Sequence, residues 1–425
     1  MTTYLLERAW LPSPDGGRVH DDVLVEVEGG RFTRVEVGGG DPAATRLPGL
    51  TLPGLANAHS HAFHRALRGH VQRDRGTFWT WREQMYAVAG RLTPELYREL
   101  ATAAFREMVA AGYTSVGEFH YLHHRADGSP HDPPLAMREA LVDAAATAGI
   151  RLVLLDAAYL SSGFGAPVEG VQRRFSDGTA AAWSARAGAG PAAIHSVRAV
   201  PRAALGAFRG RDPLHVHLSE QPAENEVCLA AYGLTPTGLL HAEGLLGPGT
   251  TVVHATHLTD EDVELLGSTR TNVCLTPTTE RDLADGIGPA RRLADAGCRL
   301  SVGSDSHAVV DPFEELRGLE MHERLSSGER GRFTAAELLD VGTAHGVLGI
   351  DRCGRIEVGW LADLVTLDAG SPRTAGTGAD EHTAVFAVTA TDVTHVVVSG
   401  RVVHRRGDEP EVGRLLADVI ARVRP

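Results

Sequence analysis

LPGLANAHSHAFHR, residues 52–65, sets two imidazoles, His59 and His61, one serine apart at the end of an apolar segment rich in turn formers. In an extended chain, residues two apart project to the same side, so both rings can reach one metal ion. Residues 50–58 read as a strand running out of a buried core, which puts the pair at a strand end. A His-x-His pair alone is common in loops that bind nothing. Further ligands must come from elsewhere in the chain.

Outward from this stretch, short apolar runs alternate with amphipathic, helix-like ones. The spacing predicts strands over 50–58, 114–119, 151–157, 192–199, 213–218, 250–255, 271–276 and 299–304. Between the first two lies a helical pattern over 94–111, with Thr93 as N-cap, Pro94 in the first turn and Gly112 as the stop. Strands alternating with helices over this length predict an α/β fold, a (β/α)8 TIM-like barrel rather than an open sheet. The ends differ. Short alternating segments at 23–27 and 32–37, and again at 363–368 and 394–403, predict a small β-sheet domain formed jointly by the N- and C-terminal segments. The expected division is 1–48 for the N-terminal part of that domain, 49–354 for the barrel, and 355–425 for its C-terminal part and a tail. The Ala- and Gly-rich stretch 178–193 reads as a surface loop without chemistry.

Composition narrows the chemistry. The 425 residues are 43% hydrophobic, and no run approaches the roughly 18 uninterrupted apolar residues of a spanning helix. With no export signal and four scattered cysteines lacking any Cys-x-x-Cys pair, a cytoplasmic protein without disulfides or thiolate zinc is expected. A net charge of −13 argues against nucleic acid or an anionic membrane as partner. All 41 basic residues are arginine. Without lysine there is no Schiff base, no phosphate-loop ammonium and no carbamylated lysine to bridge two metals.

The predicted strand ends carry the polar residues that decide function. His217 and Glu220 close the fifth in HVHLSEQ, His254 the sixth in VVHATH, and Asp305 the eighth in VGSDSH. On such a barrel these ends converge over one mouth. His59, His61, His217 and Asp305 would give three nitrogens and one oxygen, leaving room for a water; zinc suits that set, as iron or manganese would. Alone, His254 could be a hydrogen-bonded core residue, Asp305 a helix cap, and Glu220 one more of 54 acidic side chains. Their joint occurrence at strand ends outweighs those explanations. His257 and His307 read as supporting groups, and His123 with His124 as loop contacts.

The HSH after the first strand, with HLSE, HATH, SDSH and the terminal ADLVTLD, resembles the mononuclear deaminase branch of the amidohydrolase superfamily over nearly the whole chain. Dinuclear members often need the carbamylated lysine, so one Zn2+ per subunit is implied. FWTWREQMY, AGYTSVGEFHYLHH, HLSEQPAENE, CLTPTTERDLADGIGPARRL and GSDSHAVVDPFEE narrow the likeness to the formimidoylglutamate deiminases. That resemblance implies hydrolysis of N-formimino-L-glutamate to N-formyl-L-glutamate and ammonia, a step in histidine degradation, by a homodimer. Water activated by the metal attacks the formimino carbon. His254 would hold that water, Glu220 would carry a proton to the departing nitrogen, and Asp305 could accept the water proton while remaining a ligand.

For a small dicarboxylate substrate, the resemblance implies contacts from Arg82, Tyr121, His195 and Arg198, since arginine holds a carboxylate through two parallel hydrogen bonds. Residues 159–177 would form a lid. One departure stands out: where the family usually has glutamine, this chain has His64, which can donate to a carboxylate but titrates near neutral pH. The main alternative is a related deaminase of an aminopurine, aminopyrimidine or other amidine, whose pocket would need ring contacts rather than paired arginines. A silent scaffold is the other class, opposed by the intact ligand set.

Overall fold

The computed structural model describes residues 1–13, 16–73, 76 and 78–424, without the side chains of residues 78 and 79. Phe78 and Trp79, which open the FWTWREQMY motif, therefore have side chains outside the described residues. The chain begins with β1 (Thr2–Leu11), β2 (Arg18–Glu28), β3 (Arg31–Val37) and β4 (Thr45–Pro53). It then enters eight parallel strands: β5 (Leu55–Ser60), β6 (Tyr113–His120), β7 (Arg151–Ala158), β8 (Ala192–Ile194), β9 (Leu214–Leu218), β10 (Thr250–His254), β11 (Asn272–Leu275) and β12 (Leu300–Val302). These neighbour one another in chain order. The chain returns through β13 (Leu364–Leu367), β14 (Val393–Val398) and β15 (Arg401–Arg405), giving a second, mixed sheet of order β15-β14-β13-β4-β1-β2-β3. The (β/α)8 barrel and the small β-sheet built from both ends of the chain are thus as expected.

Sequence explains why these runs become barrel strands. Every residue of β5, β6, β9 and β10 is buried, as parallel strands covered on both faces should be. The helix Pro94–Ala111 begins and ends where its caps predict. Thr93 accepts a hydrogen bond from the Leu96 N–H at 3.3 Å, and Gly112 closes the helix in a left-handed conformation with φ 108°. Tyr4, Leu6, Val25, Phe32, Leu364 and Val397 form a separate core for the small sheet. Among the described residues no helix is long and apolar enough to cross a membrane.

Several boundaries differ from the sequence reading. The single strand expected over 50–58 is two, because Gly54 turns the chain from one sheet into the other. A Cβ there would lie 2.3 Å from Thr114 Oγ1, so only glycine permits the approach. β4 pairs with both β1 and β13, so the N-terminal part of the small sheet runs to Pro53 rather than residue 48. The strand expected over 192–199 ends at Ile194, since the following residues turn back through the Ala199 N–H to Ser196 carbonyl hydrogen bond. The segment 394–403 is a hairpin, β14 and β15, reversing at Ser399 and Gly400, both with positive φ. Within 178–193, Ala180–Ala187 is a helix capped by Thr179, whose Trp183 is buried, rather than a surface loop. The tail is the helix Glu409–Val423, packed through Val412 and Leu416 on Ala103 of the helix Pro94–Ala111.

Candidate metal and active site

The first and last barrel strands meet at the predicted ligands. Asp305 donates its backbone N–H to the His59 carbonyl at 3.0 Å, and His61 donates its own to the Asp305 carbonyl at 3.2 Å. Asn57 reinforces this seam, accepting from the Ser304 N–H at 3.0 Å and donating to Ser304 Oγ at 2.7 Å. Gly303 makes the approach possible: a Cβ there would stand 2.6 Å from the His59 carbonyl oxygen. Asp305 and His254 both hold positive φ, 37° and 71°, a cost of about 1 kcal/mol or more each that the surrounding barrel must sustain.

Ligand atoms of His59, His61, His217 and Asp305, all buried, lie within 4.8 Å of one another. His61 Nδ1 donates to the Phe119 carbonyl at 3.1 Å and His217 Nδ1 to the His195 carbonyl at 2.8 Å. Those bonds fix the tautomers and leave both Nε2 lone pairs facing inward. His59 Nε2 stands 3.0 Å from His217 Nε2 and 3.3 Å from Asp305 Oδ1, which is 3.4 Å from His61 Nε2. Unprotonated nitrogens converging on a carboxylate fit a divalent cation, and three nitrogens with one oxygen suit zinc. Burial favours this state: it lowers the pKa of His59 and His217 and brings His61 down to about 3. Burial alone would push the Asp305 carboxyl up, but the surrounding histidines more than offset this and hold it well below the usual range.

Beside these ligands, His254 Nε2 lies 3.8 Å from Glu220 Oε1 and 3.9 Å from Asp305 Oδ2. Burial opposes charge on His254, yet Glu220, Glu280 and Asp305 outweigh it and raise its pKa to about 10. Burial raises the Glu220 carboxyl, against the lowering effect of His254. Asp305 does not cap the next helix, Pro312–Ser327; Asp311 does.

A cavity opens over this cluster. All five residues expected to touch substrate line it: His64, Arg82, Tyr121, His195 and Arg198. His64 Nε2 bonds Tyr121 Oη at 2.9 Å, while Arg82 sits 5.6 Å from the centre of the Tyr86 ring. Tyr159 and Phe175 bring the expected lid segment into the wall.

Sequence reasoning missed several groups. Glu224 is buried behind Arg198, its Oε1 3.6 Å from Arg198 Nε. Glu118, whose carboxyl burial pushes up to about 8, accepts hydrogen bonds from Ser60 Oγ and the Ala62 N–H, both at 2.7 Å, and so braces the His59–His61 loop. Thr276 and Glu280 stand behind His254. The signal for Thr276 was its place at the end of the predicted seventh strand; Glu280 was visible only as part of the TPTTERD run.

Of the other histidines, His257 donates to the Asp285 carbonyl at 2.7 Å, and His307 bonds Ser60 Oγ at 3.0 Å. The backbone N–H groups of His123 and His124 both donate to the Arg174 carbonyl at 2.9 Å. His120, His123 and Asp156 also cluster within ligand distance of one another. Both oxygens of Asp156 are taken by Arg186, however, with Trp183 Nε1 on Oδ1, so a cation there would meet a guanidinium.

Comparison with known proteins identifies the family. The model of the amidohydrolase family matches residues 50–403. A formimidoylglutamate deiminase of Pseudomonas aeruginosa is 34% identical, with 96% of this chain and 95% of that protein covered. A 5-methylthioadenosine/S-adenosylhomocysteine deaminase of Natronomonas pharaonis is 30% identical over 94% of this chain and 91% of its own. Among solved structures, an amidohydrolase from Brucella melitensis superposes with a TM-score of 0.89 at 30% identity, covering 100% of both chains.

Proposed function

The chain belongs to the amidohydrolase family and is a metal-dependent hydrolase of carbon–nitrogen bonds, and on that premise we propose that it hydrolyses N-formimino-L-glutamate to N-formyl-L-glutamate and ammonia, a step in histidine degradation. The observation that carries this reading is the polarity of the cavity: Arg82 and Arg198 line the same pocket as Glu220 and Asp305. A linear amidine ending in carboxylates fits that pattern, with the amidine directed to the carboxylates of the protein and the glutamyl end to the guanidinium groups.

His59, His61, His217 and Asp305 would hold one zinc ion. When bound, the metal supplies Lewis acidity that makes water nucleophilic near neutral pH. His254 orients the attacking water through Nε2, and Asp305 is placed to take its proton. Glu220, protonated more readily because it is buried, delivers a proton to the departing nitrogen so that it leaves as ammonia. His64 and Tyr121 act as a hydrogen-bonded unit on the glutamyl side, joined there by His195.

A second reading has its own support. Trp81, Tyr86, Tyr121, Tyr159 and Phe175 also line the cavity, and aromatic faces of this kind stack on an aminopurine ring. An ammonia-release assay on formiminoglutamate, formiminoaspartate, 5′-methylthioadenosine, guanine and cytosine separates the two. Formiminoglutamate is expected to have the highest kcat/KM; a higher value for a ring substrate would displace the first reading.

A further inference from the structure

His254 is held from behind as well as facing the site. Its Nδ1 lies 3.1 Å from Thr276 Oγ1, and Thr276 in turn lies against Glu280. Glu280 Oε1 accepts the Thr276 backbone N–H at 3.0 Å and its hydroxyl at 3.4 Å, while standing 3.8 Å from His254 Nδ1. Glu280 is 2% exposed and Thr276 is fully buried, so solvent cannot supply a competing partner. A carboxylate can only accept, which obliges the threonine hydroxyl to point its proton toward Glu280 and its lone pair toward the imidazole. Nδ1 must then carry the hydrogen.

We propose that Glu280 is a positioning residue which, through the Thr276 hydroxyl, holds the His254 Nδ1–H and so aims Nε2 at Glu220 and Asp305. Without the carboxylate the hydroxyl is free to turn, and the imidazole loses the acceptor that sets its orientation. The role rests on the deaminase reading of the site but not on the identity of the substrate.

Glu280→Gln, Thr276→Val, Thr276→Ser and the double variant Glu280→Gln/Thr276→Val test it, with kcat measured on whichever amidine turns over fastest. Glu280→Gln and Thr276→Val should each lower kcat by about 100-fold, in the range of a lost acid–base contribution, while KM changes little. The double variant should lose no more than Thr276→Val alone, because both act on one chain of hydrogen bonds. Thr276→Ser, which keeps the hydroxyl, should restore most of the activity. The second readout needs no substrate: 15N–1H spectra of the histidine-labelled, zinc-loaded full-length protein, with the His254 signal assigned by its loss in His254→Asn. The wild type should show a hydrogen-bonded Nδ1–H, and in Glu280→Gln that signal should move or be lost to exchange. Multiplicative losses in the double variant, or an unchanged His254 Nδ1–H signal in Glu280→Gln, would overturn the proposal. Failure of formiminoglutamate as a substrate would leave the spectra unaffected, so the two readings fail separately.

Discussion

Arg198→Met has two consequences that must be separated. Arg198 faces the cavity, but Glu224 lies behind it, 2% exposed at the side chain and 3.6 Å from Nε. Both Glu224 side-chain oxygens lack a hydrogen-bond partner. At that distance and an effective dielectric of about 20, the attraction is about 4–5 kcal/mol before desolvation. Removing one partner of a buried pair costs about 3–5 kcal/mol. Here the lower end applies, because 26% of the Arg198 side chain reaches solvent and burial already pushes the Glu224 carboxyl up toward protonation. A loss of about 3 kcal/mol corresponds to about 3 °C in Tm for a chain of this size. Substrate binding loses a charge-assisted hydrogen bond as well, about 1.5–3 kcal/mol, or about 10–150-fold in kcat/KM for formiminoglutamate.

The variant Arg198→Met/Glu224→Gln distinguishes these effects. Neutralising Glu224 removes the stranded carboxylate, so Tm should return to within about 1 °C of the wild type, while kcat/KM for the dicarboxylate stays low. Differential scanning calorimetry and steady-state ammonia release measure the two quantities independently. If the double variant recovers kcat/KM along with Tm, Arg198 serves only as the counter-ion of Glu224 and its assignment to substrate is refuted.

Glu220→Gln should keep stoichiometric metal by elemental analysis and lose at least about 100-fold in kcat, the scale of a general acid–base group; near-normal turnover would remove Glu220 from proton transfer. Chelation should abolish activity and added zinc restore it, so full activity in a demonstrably metal-free sample would contradict the assigned ligand set. Glu118→Gln should change the pH dependence of stability. The ordinary carboxyl value is 4.5 and the folded one about 8, so between these limits the folded chain holds a proton that the unfolded chain releases. Stability then falls as pH rises through that window, by at most about 1.4 kcal/mol per unit, and the glutamine variant should lack this slope in denaturant titrations of the metal-free protein. Parallel curves for the two proteins would remove Glu118 as the source.

What the sequence revealed, and what it did not, follows from the range over which each signal acts. The helix Pro94–Ala111 was legible because its caps are local: Thr93, Pro94 and Gly112 act within a turn of the helix end. His59, His61, His217 and Asp305 were legible because a barrel brings strand ends together whatever lies between them. Gly54 was not, since its role is to let the backbone pass Thr114, a contact between distant strands. Glu224 and Glu280 were hidden for a related reason. Each is a carboxylate on a helix, Pro222–Tyr232 or Pro277–Leu283, and nothing in its neighbours distinguishes it from a solvated glutamate until the barrel covers it. The resemblance drew attention to the runs containing both, yet assigned neither a partner.

Closure of the barrel and assembly of the candidate metal site involve the same atoms. The seam between β5 and β12 is formed by the backbones of His59, His61 and Asp305, whose side chains are three of the four candidate ligands. An ion held by those side chains therefore joins the first barrel strand to the last, across the largest loop the barrel contains, and opposes the separation that local unfolding would begin with. Any species that binds only the closed form stabilises it in proportion to RT ln(1 + [L]/Kd), about 4 kcal/mol at a thousandfold excess over Kd. The same linkage runs in reverse. Whatever loosens the seam, whether a Cβ at Gly303 or the loss of the Asn57–Ser304 hydrogen bonds, should spread the candidate ligands and weaken metal binding.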